Sequence, residues 1–193
     1  SPAPDMPHLL TLRGRHALSP FRVAKLQAAL AASRPDHPVA GVSAVYWHFV
    51  ESERSLDPEE HATLERLLTY GPHDAAGADR GEPLVVVPRP GTLSPWSSKA
   101  TDIARNCGLS AIRRVERGVV FRVESRGGSP LDPADRAALL PFVHDRMTEA
   151  VLPRLEDAQA LFAHFRPRPL TTIPLLARGR VSLETANGAL GLA

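Results

Sequence analysis

The amino-terminal part of the chain alternates between short β-like apolar runs and amphipathic helical stripes. Residues 8–12 and 42–50 are apolar runs, the second rich in β-branched and aromatic side chains, and both are predicted strands. Ser19-Pro20 and Asp57-Pro58 are typical helix starts, because the first residue caps free amides and proline fits the first helical position. The first helix is predicted to reach Ala32 and the second to end at Gly71-Pro72, which gives a β-α-β-α unit.

The same order of elements follows a polar loop at residues 72–81. The predicted elements are strands at 84–87 and 115–123, a helix from Ser94-Pro95 to Gly108, and a helix that begins at Asp132-Pro133. The pattern therefore predicts a second β-α-β-α unit.

The two units match each other at one ungapped offset of 75 residues. The matches are Leu18-Ser19-Pro20-Phe21 with Leu93-Ser94-Pro95-Trp96, Val45-Tyr46 with Val120-Phe121, Leu56-Asp57-Pro58 with Leu131-Asp132-Pro133, Leu9 with Leu84, and Leu64 with Leu139. We interpret the offset as an internal duplication and predict an α+β fold of two ferredoxin-like halves with antiparallel sheet and pseudo-two-fold symmetry. In this prediction, helices cover one face of each half's sheet and the other face is buried against the twin half.

Domain boundaries follow from these units. The predicted segments are a disordered lead-in at 1–7, a duplicated domain at 8–150 with halves 8–72 and 83–150, a helix (Leu155 to Phe165) and connector within 151–169, and the start of a linker at 170–193. Within the linker, a strand is predicted at Thr171–Leu176 and a helix at Arg178–Leu192. Because this helix has no capping or breaking residue at its end, we expect the chain to be part of a longer protein.

Composition excludes several function classes. The chain has 193 residues, a net charge of +2 and one cysteine, and no apolar stretch approaches the roughly 20 residues of a membrane helix. These features argue against a membrane partner, an intrachain disulfide and a thiolate zinc site, and they favour the cytoplasm. Of the 23 basic residues only Lys25 and Lys99 are lysines, which indicates that a compact charge is preferred at these two places.

Most of the candidate chemistry lies in residues 88–109, PRPGTLSPWSSKATDIARNCGL. Hydroxyl groups, a lysine and the free amides of a helix start could form a cradle for an anion. The alternative, which spacing alone favours, is an ordinary helix capped by Ser94 with a solvated polar face. Cys107 is expected to be a small buried thiol, because no base or orienting group is identifiable for it. The eight histidines form no metal-binding motif, so no metal site is predicted.

Several arginines around Phe121, at positions 113, 114, 117 and 122, imitate a strand that binds nucleic acid. No aromatic pair of the RNA-recognition type accompanies them, so we expect a solvated sheet edge and no nucleic-acid partner. Single-stranded RNA binding stays open as the less favoured alternative. A free-standing ferredoxin-like module that binds a small molecule is the other alternative.

The segment 88–109 resembles the signature of the amino-terminal domain of the large, single-chain phosphoribosylformylglycinamidine synthases, also called FGAR amidotransferases. Similar stretches are LRGRHALSPFRVAKL at 12–26, HATLERLLTYGP at 61–72, HDRMTEAV at 144–151 and ARGRVSLETANGALGLA at 177–193. The resemblance covers nearly the whole chain and leaves out the first several residues and the loop near 75–81.

This resemblance implies a PurS-like domain, similar to a dimer of the small PurS-type subunit, in agreement with the duplication. The complete enzyme of the family converts FGAR, glutamine and ATP to FGAM, glutamate, ADP and phosphate, and it uses ATP and Mg. The implied partners are the synthetase and glutaminase domains of the same full-length chain, which this domain would bridge. The resemblance implies no catalytic, cofactor-binding or metal-binding residue in the chain itself, so Cys107 is not the family's nucleophile.

With the resemblance in view, we hypothesise that one group of residues faces the synthetase domain. Its members are Arg89, Thr92, Ser94, Trp96, Ser97, Ser98, Lys99 and Asp102. Lys99 is the preferred contact to an anion, because it remains a lysine in a chain that nearly always uses arginine.

Overall fold

The computed structural model describes residues 8–69 and 80–163. Its elements in chain order are β1 (His8–His16), α1 (Pro20–Ser33), β2 (Val39–Ser52), α2 (Pro58–Leu68), β3 (Glu82–Pro88), α3 (Pro95–Asn106), β4 (Ile112–Ser125), α4 (Pro133–Val143), β5 (Glu149–Leu152), a 3₁₀ helix (Leu155–Gln159) and α5 (Ala160–Ala163). The predicted α+β class and the two successive β-α-β-α units are confirmed. No helix in the described ranges is long and apolar enough to cross a membrane.

The helix starts are local features, and the chain forms them where the sequence predicts. Ser19, Asp57, Ser94 and Asp132 are the N-caps of α1 to α4, and each is followed by proline. In α2 and α4 the cap is reciprocal, because the third helical residue, Glu60 or Asp135, bonds back to the amide of the capping aspartate. Each unit thus begins its helices with the same chemistry.

The two halves join edge to edge in one antiparallel sheet of order β1-β2-β4-β3-β5. Strands β2 and β4 pair along their length, and Val45 lies opposite Val120. These two residues are equivalent under the 75-residue offset, so the pseudo-two-fold axis passes through this pair. The expectation that one face of each half's sheet is buried against the twin half is therefore wrong, because the twin halves share a sheet.

All four long helices pack on one face of this sheet. Leu30 of α1 and Leu139 of α4 share one core cluster with Phe121 of β4. Leu64 of α2 and Ala104 of α3 belong to a second cluster on the same face. The helices therefore lie in two groups on this face, α1 with α4 and α2 with α3, which the pseudo-symmetry relates.

The opposite face of the sheet is covered by the segment that follows β5. Ala158 and Leu161 pack against Phe49, Val87 and Val120. The predicted helix at 155–165 begins as a 3₁₀ turn and becomes α-helical at residue 160. Strand β5 was not predicted; it crosses the predicted boundary at residue 150, and its four residues are too short a run to give a strand pattern.

The duplication does not extend to the register of the outer strands. Leu9 pairs with Glu51 in the first half, and the offset of 75 would carry that pair to Leu84 with Arg126. Leu84 instead pairs with Phe121, five positions earlier. The predicted match of Leu9 with Leu84 is therefore wrong, because the loop from β3 to α3 is longer than the loop from β1 to α1.

Strand β4 lies at the centre of the sheet, between β2 and β3. The expectation that its arginines mark a solvated sheet edge is therefore wrong. Helix α2 ends at Leu68 with Thr69 as its C-cap, before the predicted end at Gly71-Pro72. The predictions for residues 1–7, for the 166–169 connector and for residues 170–193 lie outside the described residues.

Gly118 allows β3, β4 and Phe49 to approach closely. A Cβ at this position would lie 2.9 Å from the Val86 carbonyl oxygen and 3.1 Å from Phe49 Cε2. We expect Gly118→Ala to lower the free energy of unfolding by roughly 1–3 kcal/mol, as overpacking of a core does. Gly41→Ala is the matched control, because a Cβ at that position would lie 3.7 Å from its nearest neighbour, Glu124 Oε2, which is ordinary van der Waals contact. Urea unfolding of both variants measures the difference, and an equal effect would refute this reading of the packing.

Candidate functional site

Helix α3 is fixed to the central strand by three hydroxyl groups. Ser94 Oγ accepts a hydrogen bond from the Ser97 N–H at 3.0 Å and donates one to Glu116 Oε1 at 2.9 Å. The buried Ser97 hydroxyl donates to the Val115 carbonyl, and Thr101 Oγ1 accepts from the Val115 N–H at 3.0 Å. Ser94 and Ser97, both predicted to face a partner, thus use their hydroxyls inside the domain.

The loop that leads into α3 is a closed turn. The Arg89 N–H donates to the Thr148 carbonyl at 3.0 Å, and the Arg89 carbonyl accepts from the Thr92 N–H at 3.1 Å and the Thr92 hydroxyl at 2.6 Å. Gly91 has a φ of +84°, in the left-handed region that favours glycine. The loop backbone is therefore fixed at both ends, while Arg89 and Thr92 remain exposed.

A buried ion pair lies beneath this loop. Arg114 and Glu116 are 5% and 1% exposed, and Arg114 Nη2 lies 2.9 Å from Glu116 Oε2. The second carboxylate oxygen accepts hydrogen bonds from the Ser94 hydroxyl and from the Arg117 N–H, each at 2.9 Å. The carboxylate thus has a partner on each oxygen, as a buried charge requires.

The Arg114 guanidinium links this loop to the segment after β5, which packs on the sheet face opposite the helices. Arg114 donates to the Thr92 carbonyl at 2.9 Å and to the Leu161 carbonyl at 3.0 Å. Its Cζ also lies 5.2 Å from the ring centroid of Phe162. Sequence reasoning missed this pair; the signal available was an opposite charge two residues away, on the same face of a strand.

Arginine and aromatic side chains alternate in a stack over the middle of the helix-covered face. Arg15 Cζ lies 5.6 Å from the Tyr46 ring centroid, and Arg117 Cζ lies 4.2 Å from Tyr46 and 4.5 Å from Trp96. The Trp96 ring lies 5.7 Å from the His48 imidazole. These contacts hold the predicted site residue Trp96 half-buried at the start of α3.

His48 is a core histidine beneath Trp96. Burial, and then the charge of Arg117, lower its pKa to about 4, so the imidazole is neutral at pH 7. Gly14 on β1 makes room for the ring, because a Cβ there would lie 2.6 Å from His48 Cε1.

The remaining predicted residues lie on the outer surface of α3. Ser98, Lys99 and Asp102 are exposed. Lys99 also lines an apolar groove of about 280 Å³ between α2 and α3, here called the α2–α3 groove. The groove is lined mainly by Leu64, Leu67 and Leu68 of α2 and by Trp96, Lys99 and Ile103 of α3. Ile103 is 45% exposed, which is high for a large apolar side chain.

One cluster with metal-ligand residue types occurs within the described residues. His37, Asp132 and Asp135 bring their ligand atoms within 4.8 Å of one another. The Arg34 guanidinium lies 2.7 Å from the Asp135 carboxylate. Burial alone would raise the pKa of Asp135, but the Asp132 amide, Arg34 and His37 together hold it below its usual value. A cation is already on the carboxylate, so the cluster is an ion-pair network that joins α1 to α4.

Cys107 is exposed at the end of α3, so the expectation of a buried thiol is wrong. Its N–H donates to the carbonyls of Ile103 and Ala104, and the chain leaves the helix at the next residue, Gly108, whose φ is +90°.

The buried imidazole predicts a pH dependence of stability. Between pH 6.5 and about 4 the unfolded chain takes up a proton at His48 that the folded domain does not, so the free energy of unfolding falls as the pH is lowered through this range. Between pH 7 and 4.5 the free energy of unfolding falls in the unchanged chain through this proton uptake. We expect the fall to be roughly 2–3 kcal/mol smaller in His48→Gln, which lacks the imidazole. Urea unfolding at both pH values measures this, with His61→Gln, which replaces a half-exposed imidazole, as control. Equal losses in all three proteins would contradict the assignment.

The ion pair predicts a large penalty for removing either partner alone. Arg114→Met or Glu116→Gln leaves a buried group without its partner, which typically costs about 3–5 kcal/mol of unfolding free energy. The double variant Arg114→Met/Glu116→Leu is expected to lose less than the sum of the single variants. Arg136→Met, which removes the half-exposed partner of Glu82, is the control, and we expect it to lower the free energy of unfolding much less. If Arg114→Met and Glu116→Gln lower that free energy no more than this control does, the description of a buried pair is wrong.

The family described as "Formylglycinamide ribonucleotide amidotransferase N-terminal" matches residues 45–162. The matched range begins in β2 and ends in α5, so it includes the central strand pair, α3 and its attachments, and the cover of the second face. The match spans more than half of the chain and confirms the family that the sequence resembles. The chain therefore belongs to the amino-terminal domain family of the formylglycinamide ribonucleotide amidotransferases.

Proposed function

We propose that this domain is a non-catalytic docking domain of the purine-biosynthesis amidotransferase. In that role it bridges the synthetase and glutaminase domains of an enzyme that converts FGAR, glutamine and ATP to FGAM, glutamate, ADP and phosphate. Family membership supports the enzyme, and the arrangement of α3 supports the docking role.

One observation carries the docking role. The hydroxyls of Ser94, Ser97 and Thr101 are bonded within the domain, whereas Lys99 and Ile103, on the other side of α3, are exposed. A rigid helix that presents a lysine and large apolar side chains, with Trp96 at one end, suits a protein partner, since binding then costs little ordering of the surface.

ATP and magnesium are not assigned to this chain. Magnesium prefers an octahedral set of oxygen ligands, and in the described ranges the one group of potential metal ligands has the Arg34 guanidinium on its central carboxylate. These residues do not fit the metal, so we derive no step through it. The domain would act on the reaction indirectly, by holding two catalytic units together and keeping ammonia from water, which would protonate it to an ammonium ion without nucleophilicity.

The structure favours neither of the two alternative functions that the sequence left open. The arginines that suggested RNA binding belong to a central strand, where Arg114 is buried in an ion pair. A small-molecule module would need a pocket with convergent polar groups, and the α2–α3 groove is lined mainly by aliphatic and aromatic side chains.

Substitutions on the outer surface of α3 test the docking role in the complete amidotransferase. We expect Trp96→Ala and Lys99→Ala to lower glutamine-dependent FGAM synthesis by about tenfold, the effect of losing one interface contact of 1–2 kcal/mol. We expect these substitutions to lower the rate of FGAM synthesis less when ammonia is added, because added ammonia does not depend on a docked glutaminase. Lys25→Ala on α1 is the matched control. Unchanged rates with both glutamine and ammonia would eliminate the proposal.

A further inference from the structure

The pseudo-symmetry of the domain is broken where its two helix pairs meet. Helices α1 and α4 contact each other. Arg34, the C-cap of α1, places its Nη2 2.7 Å from Asp135 Oδ1 of α4. The equivalent pair, α2 and α3, is separated by the α2–α3 groove. One pair is closed by internal contacts, and the other leaves leucine, tryptophan and isoleucine side chains accessible between its helices.

Among the described residues that line the groove, the charged side chain is Lys99, a cation. The Arg117 guanidinium lies against the rings of Tyr46 and Trp96 and does not line the groove. The carboxylates of α2 are directed elsewhere: Glu60 is bound by Arg54 at 2.7 Å, and Glu59 and Glu65 line a separate depression with Thr69. On α3 the described carboxylate is Asp102, which is exposed but does not line the groove.

We propose that the α2–α3 groove binds an acidic amphipathic helix that belongs to the amidotransferase outside this chain. This inference rests on the proposed docking function and names the partner. Apolar side chains of the incoming helix lie between Leu64, Leu67 and Ile103, in the helix-in-groove mode. A carboxylate of that helix meets Lys99, the charged residue of the described lining.

The residue types and the shape of the site support this occupant. Tryptophan, here Trp96 in the groove lining, is among the residues that most often dominate binding energy at protein interfaces. A groove between two helices accepts the ridge of a third helix, because side chains three and four positions apart form such a ridge. A second copy of the domain fits less well, since a two-fold symmetric contact through this groove would bring the Lys99 charges of both copies together.

Site-specific photocrosslinking in the complete amidotransferase tests the proposal. Ile103 is replaced by p-benzoylphenylalanine, the protein is irradiated, and mass spectrometry identifies the crosslinked peptide. The control places the same photoreactive residue at Phe21, an exposed aromatic position on α1. We expect position 103, but not position 21, to crosslink to a helical segment that carries Asp or Glu and lies outside residues 1–193.

Charge reversal provides the second arm of the experiment. Lys99→Glu is expected to lower the yield of the crosslink by about tenfold, since like charges at an interface are unfavourable. Lys25→Glu, the same change at the other lysine, is expected to leave the yield within about twofold. A crosslink to the same groove of a second copy, to residues 164–193, to a basic segment, or none at all would overturn the inference.

The readout also separates this inference from the docking role in general. If Trp96→Ala impairs the coupled reaction but no acidic helix is crosslinked, docking stands and the partner is wrong. If an acidic helix is crosslinked but the α3 variants leave both reactions unchanged, the groove has a partner that does not serve the reaction.

Discussion

The buried ion pair of Arg114 and Glu116 is the interaction on which the arrangement of the domain depends. Two charges removed from water are stable only when their remaining hydrogen-bonding groups also find partners. Here those partners come from different parts of the chain: the loop at Thr92, the cap at Ser94 and the carbonyl of Leu161. The pair therefore requires the start of α3 and the cover of the opposite sheet face to be in place at the same time.

The edge-to-edge union of the two halves explains why β4 can hold such a pair. Pairing of β2 with β4 through Val45 and Val120 turns what would be two edges into the centre of one sheet. In this domain helices cover one face of β4 and residues 155–162 pack on the other, so the buried charges of Arg114 and Glu116 must find partners within the domain. The sequence offset predicted the duplication, but it did not show that the halves share a sheet, because both arrangements place the same residues in strands.

Local signals were predictable and tertiary ones were not. The Ser-Pro and Asp-Pro helix starts depend on neighbouring residues only, and all four lie where they were predicted. The segment around α3 was also predicted as the candidate site, but Ser97 faces the sheet while Ser98, Lys99 and Asp102 are exposed. Helical spacing from Ser97 through Thr101 to Ala104 would have indicated the inner face. The groove could not be predicted, because it depends on how far α2 and α3 stand apart.

Amide hydrogen exchange of the Arg114→Met variant tests most directly whether the ion pair couples these parts. Our account predicts the largest increase in exchange, by a similar factor, in the peptides that cover residues 89–106 and 155–162. A smaller increase is expected in α1 and α4, where only the lower free energy of global unfolding acts. Local opening of this kind follows when a shared set of contacts is lost. Faster exchange in only one of the two segments, or a uniform increase over the whole domain, would contradict the account.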